Sequence, residues 1–402
     1  MYQRGVKILA HYDVVIIGGG IIGLSVSYYL LLKKKKVLIL EKGELGSGAS
    51  SSCDDAIFLQ SKKPGILLDM TLESVQMYKS LSKELEIDLE FENRGGMILI
   101  EDDVQLKAME EFVKTQNSYG LPVEMLDRKD VLKKQPFVRK DIKASTYCSK
   151  DSQVNPLKVM RGFLKKGTAL GLELKTHIEI TEIIQREGSW EIRLKDGSHI
   201  KTEYVVNAAG AWAPDIGKLI GAEIPIRPKR GQIIVTQQVP PLGETNAWSA
   251  DYIAAKMNPQ IIQNKPKRYR ELGIGLALSQ ASSGNYLIGS TREYVGFDKS
   301  TTYEALTMIM HEAIRLFPIL KNVHMIRSFA GFRPASEDGK AIVGEVDGKK
   351  GFYIAAGHEG DGIALAPITG KVMASMICGE KVIYPMEELS LNRFKSQKMN
   401  GG

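Results

Sequence analysis

Cysteine is scarce in this chain. Cys53, Cys148 and Cys378 are the only three in 402 residues, they lie far apart, and no C-x-x-C pair occurs. That excludes a disulfide framework, a cysteine-ligated metal site and an iron–sulfur cluster held by this chain alone, and it suits a reducing, cytoplasmic setting. No signal peptide, internal repeat or low-complexity tail is expected from the pattern of residues. No basic stretch is interleaved with aromatics. The net charge of +7 therefore reads as scattered, solvated lysines rather than a nucleic-acid face, though it helps attract carboxylates. Residues 14–32 form a run of nineteen uncharged positions before Lys33-Lys34-Lys35-Lys36, which resembles a membrane span. Four of the nineteen are glycine, three of them consecutive, and a lone span in lipid tolerates that badly. A composition 43% hydrophobic and 25% charged is that of a globular protein, long enough for a large core and two domains.

What is present is a dinucleotide cradle. Asp13 to Ile17 is a strand-forming run, Ile21 to Leu32 has helical length, and Val37 to Leu40 is a second strand ending at Glu41. Between the first strand and the helix, Gly18, Gly20 and Gly23 stand at the spacing G-x-G-x-x-G. The first glycine allows the tight turn, the second lets backbone N–H groups approach a pyrophosphate, and the third lets helix and strand pack closely. The helix N-terminus adds partial positive charge. Glu41 can accept both ribose hydroxyls of an adenosine and disfavours a 2′-phosphate, so NAD and FAD both remain open.

A loop of small residues, Gly46 to Ser52, follows the second strand, and small side chains let backbone come close to a ligand. Helices are expected over 66–86, Val104 to Asn117, Asp127 to Lys134, Asn155 to about Leu170 and Thr302 to Phe317. In the fourth of these Asn155 is the cap and Pro156 the first helical residue. Strands are expected at Gly96 to Ile100, Ile178 to Arg186, Trp190 to Lys195 and His199 to Val206, with antiparallel strands from Gln232 to Gly289. Further strands fall at Met325 to Arg333, Ala341 to Gly344 and Phe352 to Ala356, before a last helix from Ile363 to about Cys378. Small-residue loops thus follow strands at three distant places, 18–23, 207–212 and 357–362. One nucleotide wrapped by three segments of a single sheet accounts for that pattern.

The residues resemble a family at this point. Gly18-Gly19-Gly20-Ile21-Ile22-Gly23 with Glu41, Gly48-Ala49-Ser50, Val206-Asn207-Ala208-Ala209-Gly210-Ala211-Trp212, Ala330-Gly331-Phe332-Arg333-Pro334 and Gly357-His358-Glu359-Gly360-Asp361-Gly362-Ile363 are similar, in order, to motifs of the D-amino acid oxidase superfamily of FAD oxidoreductases, glycine and sarcosine oxidase branch. The resemblance implies an α/β fold like that of glutathione reductase and D-amino acid oxidase. A discontinuous FAD-binding domain (8–88, 147–222 and 327–390) would carry an antiparallel-sheet α+β substrate domain (89–146 and 223–326). It also implies FAD as cofactor and no metal. Expected cofactor contacts are Gly18, Gly20, Ile21, Ile22, Gly23, Glu41, Lys42, Gly48, Ala49, Ser50, Ser51, Ser52, Ala209, Gly210, Trp212, Gly331, Arg333, Gly357, His358, Glu359, Gly360, Asp361, Gly362 and Ile363.

The implied reaction is hydride transfer from an amine-bearing carbon of an amino or secondary amino acid to flavin N5. The flavin carries the chemistry and the protein supplies orientation. Arg333 is the expected carboxylate clamp. Without the resemblance it would be read as a surface arginine paired with Glu337 or Asp338. His358 is read either as a group near the flavin or as a structural loop histidine. Tyr252 sits on an expected substrate-domain strand, covering the substrate or serving as an ordinary core or surface tyrosine. Glu359 and Asp361 are expected to cap the last helix, and Cys53 to be a small buried residue. Gly360 stands where glycine oxidase-like relatives often carry a basic residue, which argues against plain glycine oxidation. Within the family, Gly357-His358-Glu359-Gly360 and Cys53-Asp54-Asp55 resemble the beta subunits of heteromeric dehydrogenases for D-hydroxyproline, L-proline and opines and their hydrogen cyanide synthase relatives. That branch implies partner subunits carrying another flavin or an iron–sulfur cluster, and so a hetero-oligomer. A stand-alone oxidase, alone or as a homo-oligomer, and a non-catalytic FAD-binding subunit remain the alternatives.

Overall fold

The computed structural model describes residues 8–257 and 265–395; the 258–264 part of the expected Gln232–Gly289 strand cluster lies outside them. The first strand runs Ile8–Ile17. Val14 and Ile16 enter one apolar core and Val15 and Ile17 another on the opposite face. A strand buried on both faces belongs in the middle of a parallel sheet. It pairs in parallel with Val37–Leu40 on one side and His199–Asn207 on the other. His199–Asn207 pairs in parallel with Phe352–Ala356 in turn. Glu173–Lys175 and Ile342–Glu345 complete the two edges, and the hairpin Ile180–Arg186/Ser189–Leu194 lies against the start of His199–Asn207. Three adjacent parallel strands therefore end side by side and feed Gly18–Gly23, Ala208–Trp212 and Gly357–Gly362. The expected α/β sheet is present, and those three loops lie side by side along one of its edges, where such sheets place their ligands.

Helices Ile21–Leu32 and Gly362–Ile377 pack together on one face of this sheet. A Cβ on Gly370 would stand 2.3 Å from Ser25 Oγ, and the Ser25 hydroxyl donates to the Ala366 carbonyl at 2.8 Å. So close a crossing brings both helix N-termini to the same sheet edge. Lys33, Lys34 and Lys36 are exposed beyond the far end of the first helix. Among the described residues no helix is long and apolar enough to cross a membrane.

A second eight-stranded sheet has the order Met325–Ser336, Ile226–Gln238, Asn285–Gly289, Ala277–Gln280, Asn246–Ser249, Gly96–Ile100, Ala144–Cys148, Glu124–Asp127. Its pairs are antiparallel except Asn246–Ser249 with Gly96–Ile100. Helix Tyr303–Leu316 covers it with Ala305, Ile309, Ala313 and Leu316 on one apolar stripe. The expected segment limits at 146/147 and 326/327 fall inside Ala144–Cys148 and Met325–Ser336, both strands of this sheet.

Tyr252 corrects an expectation, because it lies in helix Ala250–Met257 and not on a strand. The strand before it, Asn246–Ser249, is only four residues long. It ends where the Ser249 hydroxyl oxygen accepts the Tyr252 N–H at 3.3 Å, a local side-chain bond that starts a helix.

Candidate active site

The three strand-end loops and the second sheet enclose one cavity of about 620 Å³, a size typical of small-molecule and cofactor sites. At one end is the glycine cradle. Gly18 has φ +113°, and a Cβ there would stand 2.5 Å from the Ala208 carbonyl oxygen, so only glycine fits. Gly23 lies outside the cavity lining and does a different job: its Cβ would meet the Gly18 carbonyl oxygen at 2.0 Å, which sets the strand–helix crossing. Glu41 accepts the Gly19 N–H at 2.7 Å with one oxygen and the Gly43 N–H at 2.8 Å with the other. Each oxygen keeps acceptor capacity. Ser50 Oγ accepts the Ile21 N–H at 3.1 Å, tying the small-residue loop to the helix start. These groups fit the adenosine diphosphate half of FAD: a fixed carboxylate, side-chain-free backbone and a helix N-terminus. The cavity continues past Ala209, Gly210 and Trp212 to Gly331, Arg333 and the start of the last helix, so the remainder of a long cofactor has somewhere to lie.

The wall that the second sheet supplies carries Arg333. It projects from Met325–Ser336 over Gly231 of the paired strand, where a Cβ would stand 2.3 Å from Arg333 Nη1 and 2.7 Å from Cζ and Nη2. Only a glycine floor lets the guanidinium lie there. Nη1 donates to the Thr291 carbonyl at 3.0 Å and Nη2 to the Ser290 hydroxyl at 2.7 Å. The surface pairing with Glu337 or Asp338 does not form; Asp338 is taken by Arg393. Gly360 lies against Arg333, and a Cβ there would make ordinary contact with Arg333 Cδ and Nε, at 3.8 Å from each.

His358 lines the cavity but is 4% exposed, with Nε2 3.2 Å from Thr369 Oγ1. Burial pushes its pKa down to about 4, so the ring is neutral near pH 7. Asp361 holds the N-cap position of the last helix without a side-chain cap bond; it pairs with the buried Lys62 instead. Glu359 pairs with Lys229 at 3.1 Å. Neither carboxylate is a simple helix cap, because each answers a lysine brought from elsewhere in the fold. Cys53 lines the cavity, and burial pushes its thiol well up, which leaves it un-ionised and unreactive.

Of the residues expected at the site, all line the cavity except Gly23, Ser51 and Gly357. Asn207 stays behind the wall, its amide donating to the Ala213 carbonyl at 2.9 Å. The motifs did not reveal Arg292, Asp54 or Lys62 as site residues. Arg292 and Asp54 line the cavity, and Lys62 is held against its wall by Asp361. Asp54 is raised by burial, while Arg333 and then Arg292 favour its charged form. Asp54 stands in the Cys53-Asp54-Asp55 run, which marks a branch of the family but not a site role; no local pattern marks Arg292 or Lys62, since each gains its position from contacts distant in sequence.

Comparison with known proteins extends the picture. The profile of the family DAO, FAD dependent oxidoreductase, matches residues 13–376. The glycine oxidase of Geobacillus kaustophilus is 26% identical over 389 residues, covering 95% of this chain and 97% of its own. Hydrogen cyanide synthase subunit HcnC of Pseudomonas protegens is 27% identical over 429 aligned residues, covering 96% and 97%. The crystal structure of the Geobacillus kaustophilus glycine oxidase superposes with a TM-score of 0.86 at 25% identity, over 96% of this chain and 99% of that one.

Proposed function

The chain belongs to this family of FAD dependent oxidoreductases, and from that premise we propose that it oxidises an amino acid or secondary amino acid at the amine-bearing carbon to an imine. Bound FAD supplies the hydride acceptor. The sheet built on Ile8–Ile17 would hold the cofactor, through Gly18, Gly20 to Ile22, Glu41, Gly48 to Ser50 and Ser52, Ala209 to Trp212 and the start of the last helix. The second sheet covers the substrate.

The observation that carries this reading is Arg333, prepared in the part of the cavity wall that the second sheet supplies. A guanidinium has five N–H donors, and two are committed to Ser290 and Thr291. The rest can clamp a carboxylate, which fixes the adjoining carbon relative to the cavity wall. Tyr252, Trp248 and Phe58 line the same region, and Phe58 and Trp248 stack with centroids 3.7 Å apart. This apolar wall excludes water and favours a neutral amine. His358, neutral and bonded to Thr369, shapes the wall and moves no proton.

Similarity to a protein named as a synthase subunit favours a heteromeric dehydrogenase, with electrons passing to a partner's flavin or iron–sulfur cluster in the cytoplasm. A stand-alone oxidase would differ only in its acceptor. The deciding experiment is anaerobic mixing of the FAD-loaded protein with D- and L-amino acids, proline analogues, sarcosine, glycine and opines, while the visible flavin band is followed. Bleaching by one class supports the reading. No bleaching by any of them would favour a non-catalytic FAD-binding subunit. Stoichiometric hydrogen peroxide without an added acceptor would replace the dehydrogenase by the oxidase.

A further inference from the structure

Arg292 stands in the same cavity wall as Arg333. Its guanidinium carbon lies 4.0 Å from the centre of the Tyr252 ring, a stack that fixes the plane and leaves the in-plane N–H groups free. Its Nη1 is buried and has no hydrogen-bond partner among the described residues. Buried guanidinium donors are normally satisfied, and one that is not points to a missing acceptor.

The fold makes deliberate room for the pair. A Cβ on Gly273 would stand 2.8 Å from Arg292 Cβ, and one on Gly275 would stand 2.9 Å from Tyr252 Cβ. The Arg292 N–H is anchored on the Leu272 carbonyl at 2.9 Å. Nearby cavity carboxylates are already matched, Asp361 by Lys62 and Glu359 by Lys229. Asp54 is left facing two guanidiniums, and both of them act on it. This end of the cavity thus holds two positive charges against at most one negative.

We propose that Arg292 is a specificity residue that binds a second carboxylate, so that the substrate is an amino acid carrying two acidic groups. The inference rests on the amine-oxidase reading above. Arg333 takes the carboxylate next to the reacting carbon, and Arg292 takes the one on the side chain or the nitrogen substituent. Whatever the protonation of the amine, a substrate with two carboxylates carries one more negative charge than glycine, sarcosine or proline, and the second guanidinium answers that extra charge.

The test uses matched pairs differing by the second acid, sarcosine against iminodiacetate and alanine against aspartate in both enantiomers, in anaerobic flavin-bleaching titrations. Calorimetric binding of succinate against butyrate gives a readout without turnover. Wild type is compared with Arg292→Gln and Arg292→Lys. The diacid of at least one pair should half-saturate at a roughly tenfold lower concentration or better, the size expected for a charge-assisted hydrogen bond. Succinate should bind more tightly than butyrate. Both ratios should fall towards one in Arg292→Gln and recover in part in Arg292→Lys. Equal use of mono- and diacids by wild type, or a ratio kept in Arg292→Gln, overturns the inference and leaves amine oxidation standing. A flavin that no amine bleaches defeats the amine-oxidase reading, and the succinate ratio then reports on the dicarboxylate site by itself.

Discussion

Arg333 and His358 show how burial and hydrogen bonding assign opposite tasks to two cationic residue types in one cavity. Arg333 keeps its charge and spare donors, so its removal should be felt by the substrate. Arg333→Ala is expected to raise the half-saturating substrate concentration by about 100-fold or more, the usual cost of losing one side of a bidentate charge pair, with the flavin spectrum retained. Arg333→Lys should recover only part of this, because a point charge lacks the fork. Anaerobic titration of both variants checks it, and loss of FAD from Arg333→Ala would move the residue from substrate to cofactor. His358 is held neutral at a pKa of about 4 against about 6.5 in an unfolded chain. Between those values the unfolded state binds more protons than the folded one, so stability is complete above about pH 6.5 and falls as the pH drops towards 4, by up to about 3 kcal/mol. In melting curves across that range His358→Gln should flatten the acid limb. An unchanged limb would show that another group controls it. Of these two residues, Arg333 was legible through its surrounding motif and His358 only by position. Its neutrality follows from burial beside Thr369, which adjacent sequence does not reveal.

At the scale of elements, the site depends on two glycines facing each other across neighbouring strands. Gly231 of Ile226–Gln238 pairs with Gly331 of Met325–Ser336. Directly paired residues point to the same face, and here each makes room for a different part of the site. Gly231 carries the Arg333 guanidinium, and Gly331 admits the backbone of the small-residue loop, its Cβ position 2.5 Å from the Ser52 carbonyl oxygen. The two should fail differently when substituted. Gly231→Ala meets the end of a flexible side chain and should displace it, raising the substrate requirement about tenfold or more while FAD stays bound. Gly331→Ala meets backbone, which cannot step aside, so the loop should be pushed from the cavity and the protein purified with substoichiometric FAD. Flavin content and substrate titration of the two variants separate these outcomes. The same scale explains what could be read from sequence. The first strand–helix–strand unit has a long apolar period and three spaced glycines, and its helix and second strand fall where expected, at Ile21–Leu32 and Val37–Leu40. The Asn246–Ser249 strand passes straight into the Ala250–Met257 helix, too short a run for periodicity to mark the change, which is why Tyr252 lies on a helix where a strand is expected. Arg292 carries no local signal at all, because Tyr252 and Gly273, which define its surroundings, lie forty and nineteen positions away.

Across the whole molecule the cavity joins parts of the chain that are remote in sequence. The Gly18–Gly23 turn and the Gly357–Gly362 turn are more than three hundred residues apart, yet they follow strands of one sheet separated only by His199–Asn207. The second sheet closes over them through Gly331 on Ser52 and through Phe58 stacked on Trp248. A nucleotide confined to the cradle would contact the first unit alone. A cofactor running the length of the cavity couples segments that otherwise meet only through packing, and by mass action it stabilises all of them together. Hydrogen exchange distinguishes the two cases, since local opening reports on each segment separately. Removal of FAD should raise exchange at 18–23, 46–53, 208–212, 331–334 and 357–363 at once, and lower the melting temperature. Strands at the far edge of the second sheet, such as Glu124–Asp127, should change little, being distant from the lining. Protection confined to 18–53 would mean that the cofactor does not reach Arg333, and the assignment of that end of the cavity to amine oxidation would fall with it.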